Sequence, residues 1–423
     1  MTVQSVTVPT QPATARCPYY ALDATGSDIH GEGRALRALG AATRVLLPGD
    51  IPAWSVTDRG LIRRLLTHPH ISKDAHRHWT AYMAGEIPAD WPLGVWVNVR
   101  NALTAYGIEH QRLRRPLAAA FSVRRVRAMV PQIEAIIRTL LDDLQTAGPR
   151  EVVDLRARFA WRLPLLAVNA ALGVPEALHD SFHGAIGDLF ATDLTPEQAI
   201  AAQDRIYDLI GQLIARKKLG DDVSSDLIVA RTDGRLSDQE LAESGHLLLI
   251  GAGHETTANL LDHAVVDLLT HPDQLAIATT GQVAWEQVVD EVLRHQAPVA
   301  SIIPRFAVHD VHDEATGVTF RQGDLIVINF AGANRDPLVH GQDAHKFNLR
   351  RATSRDHLSF GHGPHLCPGA ELARTEARLA LAALFTRFPQ MRLAIEPGQL
   401  TPLPSFISNG HQRVPVILGP ASS

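Results

Sequence analysis

Cysteine is nearly missing from this chain of 423 residues: it has two, Cys17 and Cys367. Two thiols cannot build a disulfide framework, which suits a reducing cytosol and leads us to expect a cytoplasmic protein. No stretch runs to ~18 uninterrupted apolar residues, the length a helix needs to span a bilayer, so no membrane anchor is expected. The first twenty residues are polar and rich in Pro and Thr, without the basic-then-apolar layout of a secretory signal, and residues 1–25 read as a flexible arm. Positive charge is not in excess: 40 Lys and Arg against 45 Asp and Glu leave a net charge of −5, which argues against a nucleic-acid partner. Internal repeats and Pro/Gly/Ser-rich linkers are lacking, so residues 26–423 read as a single domain. No Gly-rich dinucleotide loop follows a strand, and two cysteines cannot hold an iron–sulfur cluster, so any electrons must come from separate proteins. What is present is ordinary globular material, 45% hydrophobic and 20% charged, enough for a large core.

Most of that material has helical periodicity. Short elements come first: a helix over 34–40, a strand over 43–47 and a helix over 59–67. Residues 72–105 are irregular and hold three of the six tryptophans, Trp79, Trp91 and Trp96, as a binding loop or lid would. Helical patterns follow at 109–122, 124–146, 154–172, 176–192, 196–218, 237–269 and 283–295. Val318–Phe320 and Leu325–Ile328 have strand composition and flank a Gln322-Gly323-Asp324 turn. A loop, the helix Ala370 to Phe388 and a terminal hairpin close the chain. The expected fold class is mainly α with a small β region.

Phe360-Gly361-His362-Gly363-Pro364-His365-Leu366-Cys367-Pro368-Gly369 carries the most chemistry. It sets Cys367 in a Gly-rich loop ahead of a helix, where the partial positive charge of a helix N-terminus lowers a thiol's pKa. Pro368 fits a first helical turn, and Gly361, Gly363 and Gly369 let backbone approach a flat, bulky group. A thiolate with a flat partner points to haem iron. Two other readings are a buried structural cysteine and a zinc site of His362, His365 and Cys367, though a structural zinc wants four convergent ligands.

Three further constellations stand out. Ala252-Gly253-His254-Glu255-Thr256-Thr257 interrupts an apolar helix with a Gly and an acid–alcohol pair. Gly costs ~1 kcal/mol there relative to Ala, and a Thr hydroxyl bonded to the previous turn bends the helix. A kink with a groove at Gly253 is expected, with His254 at the periphery. Glu291 and Arg294, three apart, share one helix face and can pair. His110 and Arg114, four apart, can clamp a carboxylate, although Arg112, Arg115, Arg124, Arg125 and Arg127 also read as a solvated basic face.

The cysteine segment resembles the cysteine loop of the cytochrome P-450 family, Phe-Gly-x-Gly-x-His-x-Cys-x-Gly, at every fixed position, and the likeness extends from about residue 30 to 418. It is strongest toward soluble actinobacterial members. Ile87-Pro88-Ala89-Asp90-Trp91-Pro92 and the cysteine loop itself look like the subgroup that oxidises polycyclic and other natural-product scaffolds.

The resemblance implies one helix-rich domain, with haem b between the helix carrying Thr256 and the helix after Cys367, the axial ligand of the iron. It implies that Glu255 relays protons from solvent and that Thr256 hydrogen-bonds bound dioxygen. Ala252, Gly253, Phe360, Gly361 and Gly369 would line the haem; His110, Arg114, Arg305 and His365 would hold its propionates. Glu291, Arg294 and Arg351 would form a buried network behind the cysteine loop. Two positions depart from the family pattern: Asn348 replaces the Asp of Phe-Asp-x-x-Arg, and Tyr106-Gly107-Ile108-Glu109-His110 stands where Asp-x-Pro-x-His is usual. Trp96, Val97, Leu248, Ala252, Val299, Ile303 and Phe406 match pocket-lining loop positions.

The implied activity is monooxygenation: O2 is activated to hydroxylate or epoxidise an apolar, polycyclic or natural-product substrate. A ferredoxin and its reductase would supply electrons to a monomer. Surplus arginines (Arg112, Arg115, Arg124, Arg125, Arg374, Arg378) on the cysteine side would steer the acidic carrier. An oxidative phenol or aryl coupling enzyme is the alternative, suited by the aromatic loop. A degenerate, non-catalytic haem-binding protein is a third reading, against which intact Cys367, Glu255 and Thr256 speak.

Overall fold

Long segments of this chain repeat apolar side chains three and four residues apart, and each becomes a helix that buries one stripe. Val123–Gln145 buries Val126, Ile133, Ile137, Leu140, Leu141 and Leu144. The computed structural model describes residues 19–422 apart from 180, 183, 186–195 and 303, and only the backbone of Val95, Pro196, Ala199, Ile200, Ala202 and Gln203.

Leu248–Thr270 is buried nearly all round from Thr257 onward and runs through the middle of the protein. Leu260, Leu261, Ala264, Val265 and Leu268 pack with the buried faces of Val123–Gln145, Trp285–Gln296 and Ala370–Arg387 in the largest core cluster. A second cluster joins Gly107–Ala120, Arg162–Leu172, Pro196–Arg216 and Val223–Thr232.

The small β region is mixed. Its five-stranded sheet runs Tyr20–Ala21, Ala42–Leu47, Ile51–Val56, Ile326–Asn329, Ser301–Ile302. Ile51–Val56 pairs antiparallel with Ala42–Leu47 and parallel with Ile326–Asn329. A second, antiparallel sheet joins Arg392–Leu393, Pro415–Ile417 and Val152–Asp154.

Several expectations change. Of the arm over 1–25, residues 1–18 lie outside the described residues, whereas Tyr20–Ala21 joins the sheet through backbone pairing with Val45 and Leu46. The strands flanking Gln322-Gly323-Asp324 do not pair with each other: Val318–Phe320 pairs with Val311–Asp313, and the second strand enters the main sheet. The expected helix 176–192 begins as a 3-10 turn at Glu176–Leu178, and most of its remainder lies outside the described residues. The regular helix runs through Gly253 without a break; the irregularity comes earlier, as a wide π-helical turn over Leu241–Leu247.

Candidate active site

The cysteine loop is held by its own backbone. The Cys367 N–H donates to Phe360 O at 2.8 Å, Gly361 N–H to Leu358 O at 2.7 Å, and Leu366 N–H to Gly363 O at 3.0 Å. Gly361 and Gly363 have φ of +76° and +71°, and a Cβ on Gly363 would lie 2.8 Å from Leu66 O and from Thr67 Cγ2. The two glycines serve a left-handed turn and, at Gly363, close contact with the end of helix Arg59–Thr67. The following helix starts at Ala370 with Gly369 as N-cap, so Pro368 sits just before it. Burial pushes the Cys367 thiol up, while the Gly369 amide and Arg114 pull it toward thiolate less strongly.

Behind the loop, Arg294 meets Glu291 through two parallel bonds, Nε to Oε2 at 2.8 Å and Nη2 to Oε1 at 2.7 Å. Both side chains are fully buried. Arg351 adds Nε to Glu291 Oε1 at 3.4 Å, and the Asn348 N–H donates to the same oxygen at 2.9 Å. Asn348 Oδ1 accepts from Arg350 N–H at 3.0 Å, so the uncharged replacement still makes the local turn. The guanidinium protons left over go to the carbonyls of Asn334, Ala344 and Lys346. Asn334, which sequence patterns did not single out, carries the link onward: its side chain takes Leu358 N–H at 2.7 Å and gives to Ser359 Oγ at 2.8 Å. Beside it Asp290, buried, pairs with Arg374, whose guanidinium lies 5.0 Å over the Phe360 ring.

On the other side of the loop, the His110 and His365 rings approach to 3.8 Å. Gly107, with φ of +63°, starts the helix that carries His110 and Arg114, and Ile108 stands at the family's proline position. Arg114 donates to Leu366 O, and Arg305, buried, donates to its neighbour's Pro304 O at 3.0 Å. Burial, with Arg114 and Lys73 adding to it, lowers His110 to about 4, and His365 is driven down further by burial among the same cations. Burial lowers Arg305 to about 10. Among the described residues no carboxylate pairs with any of these four groups, and His110 Nε2 is buried without a partner. A cluster of buried donors lacking an acid fits a cofactor that brings its own carboxylates.

Glu255 accepts from Ser408 Oγ at 2.7 Å, and Asn259 Nδ2 donates to that hydroxyl at 3.0 Å. Burial raises the Glu255 pKa and the Ser408 bond opposes it. Thr256 Oγ1 bonds back to Ala252 O at 2.8 Å, as expected. Ala252 is exposed and Gly253 half-buried, with Val168 Cγ2 only 3.0 Å from where a Gly253 Cβ would be. His254 is not peripheral: it is buried, its Nε2 bonded to Trp161 O at 2.8 Å.

Ser408, bridged to Val299, ties this pair to an apolar cluster holding Trp96, Val97, Val299 and Phe406. Leu248 packs instead against the second helical cluster, and Ile303 lies outside the described residues. Trp79 and Trp91 are buried in the apolar cluster, Trp79 stacked on Phe306 and Trp91 bonded to Pro48 O, so they are packing rather than binding residues. The zinc reading does not assemble. Among the described residues, the acid and imidazole groups close enough to share an ion are Asp262, His263 and His411, and Asp262 is already engaged by Arg156.

A sequence profile described as Cytochrome P450 matches residues 285–399, which include Glu291, Arg294, Arg351 and Cys367. The chain is 39% identical over 405 residues to 2-hydroxy-5-methyl-1-naphthoate 7-hydroxylase of Streptomyces carzinostaticus, covering 95% of this chain and 98% of that one. Cytochrome P450 monooxygenase PikC of Streptomyces venezuelae is 35% identical over 96% of both chains. The chain belongs to the cytochrome P450 family. Among solved structures, CYP154A1 from Streptomyces coelicolor A3(2) superposes with a TM-score of 0.87 at 47% identity, over 94% of this chain and all of that one. CYP154C4 from Streptomyces sp. ATCC 11861 does so with a TM-score of 0.91 at 37% identity, over 96% of this chain and 99% of that one. This cytochrome P450 therefore has the mainly α fold with a small β region expected from its sequence. It is a monooxygenase, an oxidoreductase that uses a haem-thiolate and O2. No helix among the described residues is long and apolar enough to cross a membrane.

Proposed function

We propose that this cytochrome P450 hydroxylates, or epoxidises, an apolar polycyclic or natural-product substrate, as a cytoplasmic monomer of a single domain that takes in the Tyr20–Ala21 strand, supplied with electrons by a ferredoxin and its reductase. The observation that carries the substrate class is the apolar wall of Trp96 and Val299, half-buried at the edge of the cluster that Val97 and Phe406 help fill, and joined to the acid–alcohol pair through the Val299–Ser408 bridge. The similar proteins named as a naphthoate hydroxylase and a 6-deoxyerythronolide B hydroxylase support it. Cys367 would hold haem b through its sulfur, and the haem-thiolate, when bound, would supply the redox chemistry and favour O–O cleavage.

The chain's own groups do the rest. His110, Arg114, Arg305 and His365 hold the propionates. Burial raises the Cys367 thiol, so the cofactor, when bound, would be what holds this side chain as a thiolate. The exposed Ala252, with its small side chain, leaves room on the substrate side, and Gly253 lets this helix lie close against Val168. Thr256 orients dioxygen, and Glu255, protonated more readily than an ordinary carboxyl because it is buried, hands protons inward. The Glu291–Arg294–Arg351 network holds the cysteine loop in place.

Electron delivery draws on less free charge than the sequence promised. Arg112, Arg125, Arg374 and Arg378 pair with acids of this chain, leaving exposed Arg115 and Arg124 and the 46% exposed Leu366 beside the cysteine as the docking features. The test is a spin-state screen of apolar polycycles, followed by turnover with a ferredoxin system and mass analysis. Gain of one oxygen atom is expected. Loss of two hydrogens would instead establish the coupling reaction, which loses its aromatic-loop support now that Trp79 and Trp91 are buried packing.

A further inference from the structure

Lys73 lies between strand Ile71–Ser72 and the short helix Ala75–His78. Its side chain is 2% exposed, and its Nζ has no hydrogen-bond partner. Removing an ammonium from water without an anion beside it is costly, and a fold tolerates it only where a partner is supplied. The charge that acts on it is also positive, the guanidinium of buried Arg305. The same ammonium acts on His365 and His110. Among the described residues no Asp or Glu pairs with Lys73, so burial pushes its pKa well below the ordinary lysine value. Lys73, Arg305, the helical pair His110 and Arg114, and His365 come from four separate stretches of chain and converge, among the described residues, with no Asp or Glu between them.

We infer that Lys73 is a cofactor-binding residue: its ammonium pairs with a haem propionate beside Arg305, as a fifth donor to the acidic edge. The inference rests on the haem reading given above. Nothing in the sequence marked Lys73, because a lone lysine ahead of a short helix reads as a surface residue. Its burial is what sets it apart. A point charge on a flexible stem complements the planar fork of Arg305, which holds one carboxylate geometry more rigidly.

The test compares haem-loaded wild type with haem-loaded Lys73→Met, which keeps length and apolar bulk. Haem transfer to excess apomyoglobin is expected to speed up about ten- to a hundred-fold, the loss of one charge-assisted bond. The propionate bending band in the resonance Raman spectrum is expected to move, while the Soret position of the carbon monoxide complex, set by Cys367, stays put. Lys73→Gln, a weaker neutral donor, should fall between the two and stands in if the methionine variant does not load. Unchanged transfer and an unmoved propionate band in either loaded variant overturn the role of Lys73 alone. A wild-type protein that takes up no haem overturns this inference together with the reading on which it rests.

Discussion

Glu291 has no slack. Each of its oxygens accepts from Arg294, and Oε1 also accepts from Arg351 and from the Asn348 amide. Truncating it would leave the Arg294 guanidinium fully buried with its acid gone, at a cost of about 3–5 kcal/mol, while Arg351 keeps Asp343. The cost is transmitted: Arg294 holds the Asn334 carbonyl, Asn334 holds Leu358 and Ser359, and Phe360 O holds the Cys367 amide. Glu291→Ala and Arg294→Ala are each expected to yield haem-free, insoluble protein, checked by haem content per polypeptide in the soluble fraction. A soluble variant with full haem would show that the network is dispensable. At this scale the sequence was informative wherever chemistry depends on local spacing. Glu291 and Arg294 are one turn apart, and the cysteine loop is contiguous. Ser408 and Asn334 were not legible, because their partners lie 153 and 25 residues away and no local pattern marks them.

Elements were legible in proportion to how apolar their buried faces are. Val123–Gln145 and Trp285–Gln296 match their expected ranges closely because core contact imposes a strong period. Two helices of eight or more residues were missed for the converse reason. Val223–Thr232 buries Ser224 and Ser225 along with its apolar residues, and Pro272–Thr279 buries only Ala278. Strand Ile51–Val56 was hidden by Pro52, which a strand accepts because that position is exposed. The cysteine loop depends on elements in the same way, since Gly363 touches helix Arg59–Thr67. Gly361→Ala adds only the strain of a left-handed residue, about 1–2 kcal/mol, because the nearest atom to its new Cβ is 3.7 Å away. Gly363→Ala adds the same strain and a clash 2.8 Å from Leu66 O, about 1–3 kcal/mol more. Urea midpoints of the haem-loaded variants should therefore fall in the order wild type, Gly361→Ala, Gly363→Ala. Equal midpoints for the two variants would mean that the helix contact yields.

Across the whole molecule, the buried imidazoles set the response to acid. Burial lowers His263 and His357 to about 4 and His340 to about 3, and it lowers His30, His246 and His295 in the same direction. None of these belongs to the cluster that meets the cofactor's carboxylates, so haem loading leaves them in place. An unfolded chain protonates each near 6.5, so between that value and about 4 the unfolded state binds more protons than the folded one. Stability must therefore fall as pH drops through this window, by up to ~1.4 kcal/mol per pH unit for each group. Asp267 acts lower on the scale. Burial pushes it up, but the facing His295 and Gln296 more than offset this and hold it at about 2, so its contribution is lost only below the ordinary carboxylate range. Urea unfolding of the holoprotein at pH values of about 7.5, 6.5, 5.5 and 4.5, roughly even steps across the histidine window, should give midpoints that are level above 6.5 and drop progressively below it. His340→Gln and His357→Gln should each flatten that drop while leaving the midpoint ratio between the two upper pH values unchanged. A stability profile flat down to pH 4.5 would mean that these imidazoles acquire protons within the fold.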